Sequence, residues 1–573
     1  MLANIDYLIE KRDALKRLKD PWLYQYQILG KYVYSKKQSF MENYYDGAFL
    51  NDGMINDSTA IRANSAMASA IMGALWKNGG KTFKLIPSDG ILDTEAVRKY
   101  FRSINRELWG AMESPQAGLE TAFHEELCEE GVFGTSSLAL FQGDYANPLI
   151  FKSWSIQNLL IVEGERGYID TVYYDESVTI ANLAARYGLE NLPKSIRDKY
   201  DNAKTKQDRV VLTVAIEPRP EDERIGSGVY GMPMATYHFL SSDKVMLRES
   251  GFTELPVYVG RWYKLANEVY GRSPGMDALP AIMQINALKE GFLVGVEKKV
   301  EPPLWVLDDG SLGAGVVDTS ARGLSVFNAM GKTGMSSPIG TIFDIGELQS
   351  CAAAIVETKE EILQHFLIDR LYDLNNKSRM TLGEAEMRYQ IRSDALSAVY
   401  ARNTNEKLNP LINRSFNIMF DMGLLGVREN DVVMQAVLYA NGINPIIIPA
   451  EIVLAIEEGR RIYEINYISP AARVMRDEEY RGLMETVNNA IQLTGAGTDA
   501  LLKVNTDMVL EKSSELSGAP DGILFSDDDV KKKRQAIAKV QQEAQQVELA
   551  EGASKAGKNI AQARAAVAQP VGA

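Results

Sequence analysis

Cysteine is nearly absent, with two residues in a chain of 573. That excludes a disulfide framework and points to a reducing compartment. Histidine is equally scarce at three residues, which leaves little material for imidazole metal sites or proton relays. Positive charge is not in excess: 62 Lys and Arg stand against 76 Asp and Glu, a net charge of −14. The balance argues against a plain basic nucleic-acid binder, because neutralising phosphates needs clustered cations. No apolar run approaches the roughly 18–20 residues of a membrane span. The longest candidate, around Ile446-Ile447-Ile448, is interrupted by Pro445 and Pro449. The opening Met1-Leu2-Ala3-Asn4-Ile5-Asp6-Tyr7 soon turns highly charged without an apolar core and cleavage site, so no signal peptide is expected. The expectation is a soluble chain made in the cytoplasm. What is present is an ordinary globular composition, 46% hydrophobic and 24% charged. The length suggests roughly three to five structural units.

Residues 1–80 read as mostly helical, with a first helix ended by Pro21 and a second, Thr59 to Lys77, capped by Ser58. Asp93 to Met112 and Leu119 to Glu130 read as two more helices. From Gly134 to about Lys264 the pattern changes to strands. Leu159 to Val162 and Tyr168 to Tyr174 flank a hairpin turn, and further strands fall at Val210 to Ile216, Tyr237 to Leu240, Lys244 to Arg248 and Pro256 to Tyr263. Antiparallel pairing in an α+β unit follows. The helical period returns over Ala278 to Lys298, a span of about 31 Å. Gly291 and Gly295 in it permit close helix approach. A second long helix, Glu347 to Leu374, turns Leu348, Cys351, Ile355, Ile362, Phe366 and Leu371 inward. The two bracket a strand-and-turn insert. Thr381-Leu382-Gly383-Glu384 fits a capping box opening a helix towards Asp421 that Pro410 should kink or restart. Residues 446–456 read as helical or extended, and Ala471 to Thr494 as a helix. After Glu551 the Ala, Gly, Gln and Lys-rich tail reads as disordered.

No motif assembles a catalytic centre. Gly331-Lys332-Thr333 resembles the end of a phosphate loop, but the glycine needed five residues before the Gly-Lys pair is Val326. A flexible turn is the better reading. His124 and Cys128 share a helix face at i, i+4 spacing, yet no third ligand is nearby, so no metal is expected. His238 and His365 read as structural residues. Asp527-Asp528-Asp529 reads as a solvated helix start, with its carboxylates pointing in different directions.

The most specific string is Tyr270-Gly271-Arg272-Ser273-Pro274-Gly275-Met276-Asp277-Ala278-Leu279-Pro280, preceded by Gly260-Arg261-Trp262-Tyr263. Val132-Phe133-Gly134-Thr135, the stretch from Met380-Thr381-Leu382-Gly383-Glu384-Ala385 to Leu408-Asn409-Pro410-Leu411, and Tyr467-Ile468-Ser469-Pro470-Ala471-Ala472-Arg473 complete the set. In this order and spacing the chain resembles the head-to-tail connector, or portal, proteins of short-tailed bacteriophages. Ala471 stands where that family often has Leu.

The resemblance implies an α+β, mainly α, portal-type subunit. Its parts would be an α+β wing at 1–270, a first stem helix at 271–300, a strand-and-loop clip at 301–345 and a second stem helix at 346–374. A tunnel loop at 375–380 would follow, then a long helix with the rest of the wing at 381–465, a helical crown at 466–550 and a disordered tail at 551–573. It implies a homo-oligomeric ring of about twelve copies conducting double-stranded viral DNA at one capsid vertex. Expected partners are the terminase large subunit, the scaffolding and major capsid proteins and a tail adaptor, with no membrane, cofactor or enzymatic activity. The location would be the virion, and the host cytoplasm during assembly. Asn375, Asn376, Lys377, Ser378 and Arg379 would form the DNA-contacting tunnel loop. The alternatives are a capsid or tail-tube protein without a DNA channel, and a nucleoside triphosphatase, which lacks a valid phosphate loop.

Overall fold

The computed structural model describes residues 4–34, 55–76, 82–308 (except 93, 203 and 227), 317–328, 339–342, 346–371, 397–468 and 470–495, with scattered positions beyond. It divides into two units, Met1–Val474 and Met475–Ala573. The second unit holds the C-terminal part of the helix Pro470–Gly495 and short helical stretches after it.

The first unit opens with α1 (Ile5–Tyr32), capped by Asn4, whose side chain accepts the Asp6 amide at 3.0 Å. The sequence places a break at Pro21, but α1 runs through it. Pro21 and its neighbours Arg17, Leu18 and Asp20 are exposed, so the carbonyl left without a donor faces water. Leu8 and Leu15 before the proline, and Tyr26 and Leu29 after it, are buried and hold the helix on both sides. Ser58 makes no side-chain cap bond to α2 (Thr59–Leu75). The Asp57 carboxylate instead accepts the Thr59 amide at 2.7 Å. Strand β1 (Phe83–Pro87) leads into α3 (Glu95–Met112) and α4 (Leu119–Phe133).

The antiparallel pairing expected for the β part is present, divided into two sheets, and Thr135–Gln142 and Leu149–Trp154 are strands beyond those expected. β2 (Thr135–Gln142) is the centre of a three-stranded sheet between β3 (Leu149–Trp154) and β9 (Val257–Arg261). β4 (Leu159–Glu163), β5 (Ile169–Thr179), β6 (Arg209–Pro218), β7 (Met234–Leu240) and β8 (Val245–Phe252) pair in sequence order. The short helices α5 (Ile180–Tyr187) and α6 (Lys194–Asp201) lie between β5 and β6. Alternation gives this sheet two apolar faces. Leu160, Tyr173, Ala215, Tyr237 and Phe239 meet Leu8 and Leu15 of α1, whereas Ile161, Val172, Leu212, Val214 and Ile216 join the main core.

Helix α7 (Pro274–Val300) starts four residues earlier than its apolar period suggests. Ser273 caps it by accepting the Met276 amide at 3.0 Å, and Pro274 occupies the first turn. After it come β10 (Leu304–Asp308), β11 (Leu324–Asn328) and β12 (Ile339–Thr341), a small sheet ordered β11-β10-β12 with β10 and β11 parallel. Helix α8 (Gln349–His365) returns antiparallel to α7. Cys351 faces the Leu288 carbonyl, and a Cβ at Gly295 would stand 3.1 Å from Leu348. Gly295 therefore serves the close approach foreseen for it, and Gly291 does not, since nothing lies within 4 Å of its Cβ position. The second long helix is not continuous as expected. Leu367 takes a left-handed φ of 57°, and α9 (Ile368–Leu371) begins after it. In an unbroken helix residues 366 and 368 would point about 200° apart. The break lets both Phe366 and Ile368 reach the core.

The start of α2 is pinned across the α7–α8 pair. Asp57 lies 2.6 Å from Lys289 of α7 and 3.8 Å from Lys359 of α8. Asn286 Oδ1 accepts the amides of Asn56 (2.7 Å) and Asp57 (3.1 Å). Burial pushes the Asp57 carboxyl up, but its bonds to Lys289 and Thr59 more than offset this, leaving its pKa below the ordinary value. A depressed carboxyl pKa stabilises the fold above the ordinary carboxylate range, and the contribution is lost as pH falls through the lowered value. Acid unfolding of the parent should therefore show a proton-linked loss that Asp57→Asn lacks. Transition midpoints shifting equally with pH in both proteins would contradict this.

Candidate functional site: the root of the long helix

Four segments far apart in sequence meet where α7 leaves the β part. Gly134 ends α4 with φ 74°, donating its amide to the Glu130 carbonyl at 2.8 Å. Its own carbonyl accepts the Trp262 amide at 3.0 Å. Thr135 Oγ1 accepts the Gly271 amide at 2.7 Å, and Ser273 Oγ donates to the Val132 carbonyl at 2.6 Å. The backbones touch closely here. A Cβ on Gly134 would stand 2.4 Å from the Gly271 carbonyl oxygen, and one on Gly271 would stand 2.2 Å from that of Gly134. A Cβ at Gly275 would stand 3.1 Å from the carbonyl oxygens of Gly131 and Val132. Tyr263 and Arg272 exchange backbone bonds across the entry to α7. Arg272 lies over the Trp22 ring of α1 at 5.5 Å.

A third segment closes the junction from the other side. Residues 397–421 are helical, with a π-turn over Thr404–Leu408 followed by the helix Asn409–Asp421. Pro410 accounts for the wide turn. It can donate no bond back along the helix, and its ring needs room beside the carbonyl four residues earlier. The expected kink or restart is thus a π-turn inside a helix that continues. The π-turn presents two charged side chains inward. Glu406 accepts the Arg261 amide at 3.1 Å and its guanidinium at 3.0 Å, while Arg261 also reaches Glu163 at 3.2 Å. Lys407 donates to Glu126 at 2.6 Å and to Glu130 at 2.5 Å, and all three side chains have 0% exposed surface. Ser136 donates to Glu126 as well. Gly260 leaves room for the lysine, since a Cβ there would lie 2.4 Å from Lys407 Cε. The fourth segment joins through Tyr467, which donates to Asn409 Oδ1 at 2.6 Å. Its strand Tyr463–Tyr467 pairs antiparallel with β1.

Burial pushes the Glu130 carboxyl up to about 7; Lys407 opposes that shift and Glu126 adds to it. Burial pulls the Lys407 ammonium down, yet the two carboxylates outweigh it and its pKa ends above the ordinary value. Lys407 binds both carboxylates and no side chain of the three is exposed, so the arrangement is a buried clamp that presents no surface to a substrate.

Asn375, Asn376, Lys377, Ser378 and Arg379, expected from the resemblance to form a tunnel loop, lie outside the described residues, as do the box at Thr381 to Glu384 and Gly331-Lys332-Thr333. His124 Nε2 sits 3.1 Å from Ser69 Oγ, and its Nδ1 sits 3.9 Å from Cys128. Among the described residues no group of three or more His, Cys, Asp and Glu could hold a metal ion. His238 shares a bond of 2.7 Å with the Tyr187 hydroxyl, and burial lowers its pKa to about 4, so it is a satisfied structural residue. No described helix is long and apolar enough to cross a membrane. The Lys407 cluster gives no sign in the sequence: a lysine and two glutamates are ordinary in a chain that is 24% charged.

The convergence joins the described parts of the strings that carried the resemblance, at 132–135, 260–263, 271–275, Asn409 and Tyr467, while residues 380–385 lie outside the described residues. The profile of the bacteriophage head to tail connecting proteins matches residues 6–524. A protein of Bordetella phage BPP-1 named "Probable portal protein" is 23% identical over 558 residues, covering 96% of this chain and 94% of its own. A "Portal protein" of Salmonella phage epsilon15 is 24% identical over 517 residues, covering 89% and 86%. Among solved structures, the neck of an empty gene transfer agent particle aligns at 13% identity over 72% of this chain and 93% of that one. Its TM-score of 0.30 adds no weight. With the profile spanning nearly the whole chain and its strings joined at one junction, the protein belongs to the bacteriophage head-to-tail connecting protein family.

Proposed function

We propose that the chain is the subunit of a portal ring at one capsid vertex, through which double-stranded DNA enters the head and later leaves it. The observation that carries this reading is the junction. Four separated strings meet to anchor both the long α7–α8 pair and the helix that follows residue 396, as a subunit must if it transmits load between head and tail. Both curated relatives are named portal proteins. Beyond Asn286 the buried residues of α7 run out, and Leu293 (58% exposed) and Val300 (73% exposed) are left to solvent in the single chain. Neighbouring copies around a ring would cover them. The wing, stem, clip, tunnel loop, crown and tail divide at the residue boundaries given above. The clip would dock the terminase large subunit and then the tail adaptor, with scaffolding and major capsid proteins around the rim. Twelve chains of net charge −14 would carry about −168, a field that repels DNA and lets it slide. Native mass spectrometry of the purified chain should give a closed assembly of about 760 kDa, twelve times 63.5 kDa. Only monomers or dimers at micromolar concentration would overturn the reading.

The tunnel loop is the second element of the proposal. Lys377 and Arg379 stand in a polar break, Asn375 to Met380, with few apolar neighbours in sequence. Repeated around a ring they would form a positive collar in an acidic passage. Lys377→Ala with Arg379→Ala should still assemble rings but yield fewer DNA-filled heads, most visibly at higher salt, where the remaining phosphate contacts are screened. Normal yields of stable, filled heads would reject the assignment.

A further inference from the structure

We propose that Glu126, Glu130 and Lys407 form a one-proton latch: it fastens the π-turn Thr404–Leu408 to α4 when one carboxyl is protonated and loosens when both are ionised.

Two carboxylates share one ammonium in a pocket that water does not reach, with side-chain exposure of 0% at all three. With every group ionised, one negative charge is buried without a cation of its own. Uncompensated buried charge is costly, and a carboxyl in that position takes up a proton instead. The hydrogen bonds agree with a missing proton. Glu126 Oε1 serves both Lys407 and Ser136, while Glu126 Oε2 is buried with no hydrogen-bond partner. Asn403 donates to Glu130 Oε1 at 3.4 Å, at the long end of the range, so Glu130 depends on Lys407 for its strong contact.

Among the described residues, no charged group around the cluster supplies a second cation to it. From α4, Glu129 faces away and accepts the Ile156 amide at 2.9 Å. From the long helix, Glu406 adds negative potential at Glu130 and is itself bound by Arg261, with Arg402 at 3.9 Å. From β9 and the loop after it, Arg261 and Lys264 are engaged by Glu163. This outer group has three cations to two carboxylates, but its cations are bound to its own carboxylates. The Phe123 ring lies 5.9 Å from Lys407 and adds no compensating cation.

The position gives the latch its consequence. The π-turn widens the helix that spans residues 397–421, and Lys407 anchors it with no exposed side-chain surface. Burial holds the Glu130 proton to about neutral pH, whereas an opened carboxyl ionises in the ordinary range. Opening therefore becomes easier as pH rises through the gap between the two values, and levels off above the higher one.

Hydrogen exchange followed by mass spectrometry on the full chain tests this. After correction for intrinsic rates, exchange of the amides in 403–412 should rise about tenfold between pH 6 and 8 and then level off. Glu130→Gln keeps the shape of the neutral acid and should remove this rise while leaving peptides of β4–β8 unchanged. A carboxylic-acid C=O band in the infrared difference spectrum should vanish over the same interval in the parent and be missing from Glu130→Gln. Should Glu130→Gln fold poorly, Glu126→Gln supplies the same test from the other carboxyl. An equal pH response of 403–412 in parent and Gln variants overturns the latch, as does the absence of a titrating carboxyl band in the parent.

Discussion

Replacing Gly134 by alanine is expected to destabilise the first unit by roughly 3–5 kcal/mol and to unseat α7. Two costs combine. The residue holds φ 74°, which an L side chain adopts at a cost of about 1 kcal/mol. The larger cost is contact: the new Cβ would stand 2.4 Å from the Gly271 oxygen and 2.5 Å from the Arg272 carbonyl carbon. Both are backbone atoms fixed by the Thr135–Gly271 and Trp262–Gly134 bonds, so they cannot swing aside as a side-chain tip would. Gly442 is the internal control. Its φ is 75°, and nothing lies within 4 Å of its Cβ position. Gly442→Ala should cost only the backbone part, about 1 kcal/mol. Denaturant unfolding followed by tryptophan fluorescence compares the two. If Gly134→Ala proves no worse than Gly442→Ala, the close packing of the two strings does not limit stability.

Lys407→Met should cost about 3–5 kcal/mol, the usual range when one partner of a buried charge cluster is removed. Methionine nearly matches the stem in volume, so the loss comes chiefly from Glu126 and Glu130 facing each other without their ammonium. The penalty should grow with pH, because without the lysine the pair must take up protons that become scarcer as pH rises. In a background carrying Glu126→Gln and Glu130→Gln the same substitution should cost much less, as the amides leave no net charge to compensate. A cost that is equal in both backgrounds would assign the lysine a packing role alone.

The functional region was legible in part. Its strings can be read in the sequence because they are backbone devices. Ser273-Pro274 is an N-cap followed by a first-turn proline, and Gly134 and Gly271 are positions where a side chain would collide. Such requirements restrict residue type at one position and so leave a mark. The buried charges left none. Lys407, Glu126 and Glu130 have the types found on any solvated helix, and only the fold shows them in the core. Lys19 is similar: it stands in a run of charged residues, yet its ammonium is buried and donates to the carbonyls of Ile156, Gln157 and Leu159.

By itself the sequence determined the local elements: the helices α3, α4 and α7, the strands β4 to β8 with their antiparallel character, and the strand insert between two long helices. Each follows from apolar spacing, caps and turns acting within a few residues. Tertiary structure alone decided what depends on distant partners. It joined β1 to Tyr463–Tyr467, moved the cap of α2 from Ser58 to an Asp57 already held by two lysines, and carried α1 through Pro21 because buried residues flank it on both sides. It also broke the second long helix at Leu367 so that Phe366 and Ile368 could both be buried. The free energy of burial is set by which surfaces meet, and that information is spread over the whole chain and held in no single window of it.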